Sequence, residues 1–300
     1  MDYDTVVTAF FQPSPPGVVP VPVRDASPAR RLRDAIEPIA MHAVWSRTTN
    51  ERLAPLGLDF LAAYVWGRAA ALGDPDAGVV VSSFAVFEPG MLTATYEAAR
   101  AACPRSTLVA TRRDATIESL GVVLAGADVA PVADRLAAAV SAVDATGRPL
   151  FAGLARQPWP DDPVGRLWRA CELAREHRGD GHVAAAIVDG LGPVTMNVLT
   201  EVWLGMPLGS YTASRGWGPD DIAAGAASLG AAGLLDGDRI TPAGRARRDR
   251  LEATTDATQD TLVGALGADL EATIAQLDEW SAACVAAGAF PPDVFKRAAG

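Results

Sequence analysis

The stretch Glu176-His177-Arg178-Gly179-Asp180-Gly181-His182 lies in the middle of a helical region that runs from Pro163 to Asn197. It contains two of the chain's three histidines, and apolar helical runs lie on both sides of it. Polar groups in apolar surroundings cost solvation free energy unless each of them has a partner. The stretch is therefore a structural hydrogen-bond network, an acid–base or ligand-binding site, or a metal site.

Apolar residues before this stretch recur at the spacing that is typical of an amphipathic helix. Apolar side chains follow the i, i+3, i+4, i+7 pattern, and they are Val164, Leu167, Trp168 and Cys171. Continued at about 100° per residue, the same face reaches His182. We therefore expect the His182 imidazole to point inward. The candidates for its partner are Glu176, Asp180, Glu201 and His42.

Two glycines weaken the helix inside the stretch. A break at Gly179 or Gly181 either brings His177 and His182 together or ends one helix and starts the next. In the second case, Asp180 is placed to act as the N-cap of the helix that begins near His182.

The length and composition bound the domain organisation. With 300 residues, 49% of them hydrophobic, the chain can form one large domain and a smaller one. We predict a Pro-rich N-terminal arm over residues 1–28, a helical body over 29–210, and a winged-helix-like module with a C-terminal helix over 211–300. The arm is expected to be extended, and the prolines that punctuate it are Pro13, Pro15, Pro16, Pro20, Pro22 and Pro28.

The charge and the cysteines narrow the class of protein. A formal net charge of −10 disfavours a general nucleic-acid binder, because phosphate contacts need a basic surface. The three cysteines are far apart and form no CxxC pair, so we expect no disulfide and a reducing cytoplasm. The first residues lack a basic signal region, and no uninterrupted apolar run reaches about 18 residues. A cytoplasmic protein without a membrane span is predicted.

Helical periodicity separated by short breaks predicts a mainly α-helical fold with one β-hairpin. The β-branched run over residues 79–87 has no partner strand of similar character, which favours a buried helix or an irregular segment. Asp162 is a candidate N-cap for a central helix that begins at Pro163. A buried helix over residues 183–204 is predicted to be kinked at Pro193.

A different pattern follows in the last third of the chain. Gly233-Leu234 precedes Asp236-Gly237-Asp238, a tight hairpin turn, and then Ile240-Thr241-Pro242-Ala243-Gly244-Arg245. Thr241 can cap a helix that starts at Pro242. The pattern resembles the end of the recognition helix, the wing and the following helix of MarR-type winged-helix proteins. This resemblance implies a ligand-responsive transcription regulator.

The charges of this module do not favour duplex DNA. No Lys or Arg occurs between Asp220 and Gly237, where a recognition helix needs them. Across Arg215–Arg250, six arginines stand against five acidic residues. We therefore predict that DNA is not a partner, and that the Ala-rich helix at Gly225–Ala232 serves packing or homodimerisation.

A wider resemblance covers roughly Glu37 to the end of the chain. It rests on Arg175–His182, on Ser214-Arg215-Gly216-Trp217 and on the wing. Together these are similar to an actinobacterial family of SalK-like helix-turn-helix proteins. The resemblance implies a helical body joined to a winged helix.

The favoured function is an enzyme, or a small-molecule-binding protein, of actinobacterial specialised metabolism. A histidine near pH 7 can give or take a proton, and a neighbouring carboxylate can orient it. The predicted catalytic residues are His177, His182, Glu176 and Asp180. The predicted substrate-binding residues are Arg178, His42, Trp45, Tyr64 and Trp168.

Two alternatives remain open. The first is the ligand-responsive MarR-like transcription regulator that the winged helix implies. The second is a metal- or haem-binding protein that uses His177, His182 or His42 as ligands. The identity of any cofactor is not predicted.

Overall fold

Helices pack around one long central helix in this protein. The computed structural model describes residues 2–20 and 26–299. Within these ranges, regular structure consists of α-helices, short 3-10 helices and one two-stranded antiparallel sheet. The predicted fold, mainly α-helical with one β-hairpin, is confirmed.

The helices before the central one are mostly short, and several begin at a capping side chain. Ser27 accepts a hydrogen bond from the backbone N–H of Arg30, and Asp59 accepts one from Ala62. The helices are α1 (Tyr3–Phe10), α2 (Pro28–Ala40), α3 (His42–Trp45), α4 (Arg47–Leu53), α5 (Phe60–Ala69), α6 (Ala77–Phe84), α7 (Pro89–Ala102), α8 (Arg105–Val123), α9 (Ala130–Ser141) and α10 (Pro149–Ala155).

The N-terminal region differs in part from the predicted arm. Tyr3–Phe10 forms α1, capped by the Asp2 side chain, which the sequence reading did not predict. Residues 11–20 contain neither helix nor strand, as expected of a Pro-rich segment. Met1 and residues 21–25, which include Pro22, lie outside the described residues. The β-branched run over residues 79–87 is helical up to Phe84, where α6 (Ala77–Phe84) ends, and irregular over residues 85–87.

The central helix, α11 (Pro163–Val188), packs against α2, α8, α9, α10 and α14. Asp162 caps its first turn by accepting a hydrogen bond from Gly165 N at 3.0 Å, as predicted. The predicted break at Gly179 or Gly181 is wrong, because α11 continues through both glycines. A Cβ on Gly181 would lie 2.5 Å from Thr258 Oγ1. This glycine therefore serves close helix packing rather than a helix end.

The remaining elements return across the central helix. They are α12 (Pro193–Leu204), α13 (Pro219–Ala231), β1 (Leu235–Asp236), β2 (Arg239–Ile240), α14 (Pro242–Ala257), α15 (Asp260–Leu266), α16 (Leu270–Ala286) and α17 (Val294–Ala299). The predicted single kinked helix over 183–204 is wrong. Pro193 instead starts α12, and α11 and α12 meet at a bend of 107°. No single helix among the described residues is long and apolar enough to cross a membrane; only this bent pair reaches the length and composition, taken together.

The predicted wing is present between α13 and α14. Leu235 pairs with Ile240 and Asp236 with Arg239, so Gly237 and its neighbour form the turn. Gly237 has a φ of +60°, which a glycine adopts without strain. The side chain of Thr241 accepts a hydrogen bond from Gly244 N at 3.0 Å and caps α14, as predicted.

The three largest apolar cores among the described residues stabilise this arrangement. The first lies around α11 and contains Trp168, Cys171 and Cys284. The second lies among α5, α7 and α8 and contains Cys103. The third joins α12, α13 and α14 through residues such as Leu199, Ile222 and Leu251. All three cysteines are buried free thiols.

Candidate functional site

A polar cavity of about 130 Å³ lies beside the middle of α11. It is bordered by α2, α5, α11, α12 and α14 and by the ends of α6 and α17. We call it the arginine cavity. Its charged lining residues are Arg30, Arg33, Arg68, Arg175, Arg178, Arg215, Arg248, Glu37, Asp180 and Glu252.

Glu252 joins three of these arginines. Its Oε1 accepts hydrogen bonds from Arg30 Nη1 at 2.8 Å and Arg178 Nη2 at 2.5 Å. Its Oε2 accepts one from Arg248 Nη1 at 2.7 Å. Burial raises the pKa of this carboxyl, but the three guanidinium groups outweigh burial and hold the pKa well below its usual range. Glu252 therefore stays ionised and ties α14 to α2 and α11.

Glu176 belongs to a second ion-pair network behind the cavity wall. Its two carboxylate oxygens accept hydrogen bonds from Arg68 Nε at 3.0 Å and Arg68 Nη2 at 2.7 Å. Arg175 Nη1 donates to it as well, at 3.1 Å, and Arg175 Nε donates to Glu37. Burial raises the pKa of Glu176, but Arg68 and Arg175 together lower it further. The carboxylate is thus fixed between Arg68 of α5 and Arg175 of its own helix, α11.

Asp180 caps a helix other than the predicted one. It lies inside α11, so its predicted role as the N-cap of a helix starting at His182 is wrong. Its Oδ2 accepts a hydrogen bond from the backbone N–H of Phe151 at 2.9 Å, in the first turn of α10. Burial raises the pKa of Asp180 to about 6, although the bond from Phe151 opposes that shift. The side chain thus satisfies an orphan donor of α10 across the helix packing.

Replacing Asp180 by asparagine is expected to make the chain relatively more stable at neutral pH. The folded pKa of about 6 exceeds the ordinary value of 3.8, so Asp180 lowers stability as the pH rises through this window. The free energy of unfolding, measured in urea, should be compared between the two proteins at about pH 5 and about pH 7.5. The difference between them should shift in favour of the Asn variant by about 1–2 kcal/mol as the pH rises. Asp180→Ala, which also loses the bond to Phe151, should be less stable than the Asn variant at both pH values. Parallel pH curves for the native chain and Asp180→Asn would contradict this account.

His182 lines the arginine cavity, in agreement with its predicted inward orientation. Its predicted partners are wrong, because its Nδ1 lies 2.9 Å from Thr255 Oγ1. The Thr255 hydroxyl donates to Leu251 O at 2.8 Å, so it accepts from His182 Nδ1–H. Burial, reinforced by Arg248, lowers the pKa of His182 to about 3. The imidazole is therefore neutral near pH 7.

The other two histidines lie outside the cavity. His177 Nδ1 is 3.0 Å from Gln259 Oε1, and its ring meets the Phe151 ring edge-on at 5.0 Å. His42 Nε2 is 2.9 Å from Ser119 Oγ, and burial lowers the pKa of His42 to about 4. Burial lowers the pKa of His177 too. Each histidine thus has its own polar neighbour, and within residues 2–20 and 26–299 no cluster of three or more potential ligands suits a metal ion.

A second and larger cavity, of about 300 Å³, adjoins the first. We call it the aromatic cavity. Its apolar and aromatic lining residues are Phe10, Met41, Val44, Trp45, Phe60, Leu61, Tyr64, Phe87, Met91, Tyr211 and Phe290. The two cavities share a wall, which consists of Glu37, Tyr64, Phe87, Arg175, Tyr211 and Arg215.

The five predicted substrate-binding residues are divided among these places. Tyr64 lies in the shared wall, Arg178 lines the arginine cavity and Trp45 lines the aromatic cavity. His42 and Trp168 line neither cavity. Trp168 is buried in the first core, where the guanidinium carbon of Arg112 lies 5.1 Å from its ring centroid.

Several cavity residues were missed by the sequence reading. Arg30, Arg33 and Glu37 recur at helical spacing on α2 and all face the arginine cavity. That spacing of charges in a mostly buried helix was a usable signal. Arg248 and Glu252, four residues apart on α14, form a second such pair.

The winged-helix module exposes few cations. Of its seven arginines, Arg215 lies in the cavity wall, while Arg247, Arg248 and Arg297 pair with Asp189, Glu252 and Asp278, respectively. The remaining three are Arg239 on β2 and Arg245 and Arg250 on α14. After the exposed Asp220 and Asp221 of its first turn, α13 has a smooth exposed side of small residues, namely Ala223, Ala224, Ala227, Ser228, Gly230 and Ala231.

Comparison with known proteins places the chain in a family. The model of a helix-turn-helix family matches residues 29–291, which include every helix from α3 to α16 and nearly all of α2. No curated protein and no solved structure matched the chain.

This match overturns two predictions. The main prediction of an enzyme or small-molecule-processing protein is wrong, because the family indicates a regulator-like DNA-binding role. The prediction that DNA is not a partner is wrong for the same reason. It rested on the scarcity of bases in α13, which does not outweigh a match over most of the chain. The chain belongs to the helix-turn-helix family.

Proposed function

We propose that the protein is a ligand-responsive DNA-binding regulator. In this proposal α12, α13 and the wing contact duplex DNA, and the cavities of the helical body bind a small molecule. The observation that carries the proposal is the helix-turn-helix family match together with a wing directly after α13. The resemblance to MarR-type and SalK-like actinobacterial proteins supports the same role.

The arginines of the module that lie outside ion pairs within the described residues supply the phosphate contacts. Arg239 is exposed on the wing strand β2, and the half-buried Arg245 and the exposed Arg250 follow on α14. Phosphate contacts carry most of the sequence-independent affinity of a DNA-binding protein. Because the module offers only three such contacts and the chain is acidic, the affinity for duplex DNA should be low in high salt and measurable in low salt.

The smooth side of α13 fits the major groove through shape and methyl contacts. Ala223, Ala224 and Ala227 project only methyl groups, so the helix backbone can approach base edges closely. Alanine methyl groups contact thymine methyl groups in the major groove. A preference for thymine-containing sites is therefore expected, rather than the guanine contacts that arginine makes.

The ion pairs around Glu252 offer a route between the cavity and the DNA-binding module. Glu252 and Arg248 lie on α14, directly after the wing, while Arg30 and Arg178 belong to the body. A ligand that rearranges these arginines would move α14 relative to α2 and α11. Such coupling requires that the ligand prefer one arrangement of the network over the other.

Replacing Arg239 by glutamate is expected to weaken DNA binding at least about tenfold at low salt, because it turns a phosphate contact into a repulsion. The measurement is fluorescence anisotropy with duplexes that the protein itself selects from a random library. For the native chain, log K against log salt should have a slope of about −3, and the variant should lose about one unit of that slope.

The matched control is Arg156→Glu, which makes the same charge change at an exposed position at the end of α10. It should leave both the affinity and the slope nearly unchanged. Failure of the native chain to enrich any duplex near about 50 mM salt would overturn the proposal. So would equal losses in the two variants, since the contact would then be non-specific charge alone.

A further inference from the structure

Arg215 lies where the body meets the helix-turn-helix. It ends the short 3-10 turn Ala213–Arg215 in the connection between α12 and α13, four residues before Pro219 begins α13. Its backbone carbonyl accepts a hydrogen bond from Glu88 N at 2.9 Å, which ties the connection to the start of α7. The next residue, Gly216, packs so closely that a Cβ would lie 2.6 Å from Met91 Cε. The side chain of Arg215 is thus presented to both cavities from a fixed backbone.

The guanidinium of Arg215 is held by rings rather than by a carboxylate. Its carbon lies 4.4 Å from the Tyr211 ring centroid and 5.2 Å from that of Phe87. Arg215 Nη2 donates to Tyr211 Oη at 2.9 Å, and Arg215 Nε is buried without a hydrogen-bond partner. Among the residues described, no acidic side chain comes within ion-pair distance of it. Cation–π contacts of this kind fix the plane of a guanidinium and leave its edge free to donate.

The other arginines of the cavity are largely engaged. Arg30, Arg178 and Arg248 share Glu252, and Arg68 and Arg175 share Glu176. Arg33 pairs with Asp34 and, through Nη2 at 3.6 Å, with Glu37, although this Nη2 has no hydrogen-bond partner. The positive charge of Arg215 and unused hydrogen-bond donors therefore remain on the side of α13 that faces the helical body.

A second cation stands beside Arg215 in the aromatic cavity. Lys296 Nζ lies 4.2 Å from the Phe10 ring centroid, and no acidic side chain in the described ranges forms a salt bridge with it. Burial, with Arg215 adding to it, lowers the pKa of Lys296 to about 8. The rest of the lining is mainly apolar; its other charged residues, Glu37 and Arg175, form an ion pair with each other at 3.1 Å, and the volume of about 300 Å³ is that of a small-molecule site.

We propose that the aromatic cavity binds an organic monocarboxylate, with its apolar body among Trp45, Phe60 and Phe290 and its carboxylate on Arg215 and Lys296. The edge of a guanidinium matches a carboxylate bidentately, and the lysine adds a point charge. An apolar body beyond the head gains the hydrophobic free energy of the aromatic walls. A monoanion matches this pair of cations better than a doubly charged phosphate ester, because one of the two cations loses its proton easily.

This assignment rests on the proposed regulator and names its ligand class. Because Arg215 belongs to the connection that leads into α13, a bound carboxylate would act on the position of the recognition helix directly. The ligand would thereby contact the turn between the two helices of the DNA-binding motif, and not only the distant body.

The test is calorimetric titration of the full chain with monocarboxylates of increasing apolar size, namely hexanoate, decanoate and 2-naphthoate. At least one should bind with a Kd below about 100 µM. The uncharged 2-naphthalenemethanol and the doubly charged 2-naphthyl phosphate should each bind at least about tenfold more weakly than 2-naphthoate. Arg215→Gln should weaken carboxylate binding by about tenfold or more, and Lys296→Gln by a smaller factor.

Arg156→Gln, at the exposed end of α10, is the matched control and should bind like the native chain. Circular dichroism and the melting temperature establish that each variant is folded, and Lys296→Gln serves if Arg215→Gln is not. No binding of any monocarboxylate up to about 1 mM would overturn the assignment. Equal binding of the alcohol or tighter binding of the phosphate would overturn it too. Because calorimetry needs no DNA, such a failure alongside intact duplex binding would refute the ligand class and leave the proposed regulator standing.

Discussion

Replacing Glu252 by alanine is expected to lower the free energy of unfolding by about 3–5 kcal/mol, since removing one partner of a buried ion pair leaves uncompensated charge. Three guanidinium groups share this carboxylate, from Arg30, Arg178 and Arg248. Arg30 also pairs with Asp34 and Arg178 with Asp256, whereas Arg248 forms no other salt bridge within the described ranges. All three lie in surroundings where water is largely excluded. Urea unfolding near pH 7 measures the loss, and the midpoint should fall with little change in slope.

Glu271→Ala is the matched control for this change. Glu271 also pairs with an arginine, Arg31, but both side chains are well exposed. Exposed ion pairs contribute little because water and salt screen them. The control should therefore unfold close to the native midpoint. Losses of similar size in the two variants would show that burial does not distinguish these pairs and that the network around Glu252 is not a stabilising junction.

Gly244→Ala is the second change for which a large effect is expected. Gly244 lies in the first turn of α14, where a Cβ would lie 2.1 Å from Leu234 O and 2.9 Å from a side-chain carbon of Ile240. One obstacle is backbone, so it cannot rotate away, and the wing and α14 must separate. We expect a loss of about 2–4 kcal/mol in the stability of the module. Hydrogen exchange at Leu235 and Ile240 should accelerate, and DNA binding should be lost with it.

Gly264→Ala is the control with the opposite expected sign. Gly264 lies inside α15, and a Cβ there would meet no atom within 4 Å. Alanine in a helix interior is favoured over glycine by about 0.5–1 kcal/mol. This variant should therefore be slightly more stable than the native chain. If both glycine variants shift stability in the same direction, close packing at Gly244 is not the reason for its glycine.

Local sequence signals were enough to predict the wing and several helix starts. Thr241 caps α14 and Asp162 caps α11 because a capping side chain and proline in the first turn act within four residues. The hairpin turn at Asp236-Gly237-Asp238 is equally local. Caps and tight turns depend on residues that are close in the sequence, and they can therefore be predicted from the sequence alone.

The candidate site depended on contacts that a single sequence does not display. Gly181 suggested a helix break, but its small size admits Thr258, the C-cap residue of α14, 77 positions further along the chain. Likewise His182 pairs with Thr255, and Asp180 with Phe151. Polar side chains with several plausible partners are assigned by tertiary packing, which local pattern does not determine. Inward orientation was predictable from helical spacing; the identity of each partner was not.

Charge counting misled the functional interpretation for a related reason. Net charge over the chain and over the module weighs every arginine and carboxylate equally. In the folded protein many of these charges neutralise one another in buried pairs, as Arg248 does with Glu252. Only the exposed remainder, such as Arg239 and Arg250, is available to a charged partner. A sum over sequence therefore says little about the potential at one surface.

The three buried cysteines can be used to measure how often the interior of the chain opens to solvent. Burial raises the pKa of Cys284 to about 12 and raises that of Cys171, so both thiols stay protonated and resist alkylation near neutral pH. Cys103 lies in a separate core from these two. Alkylation rates under native conditions would therefore report the opening of the first core and of the second core separately. The third core, around α12 to α14, includes none of the three cysteines, so movements confined to α12, α13 and α14 would leave all three thiols unlabelled.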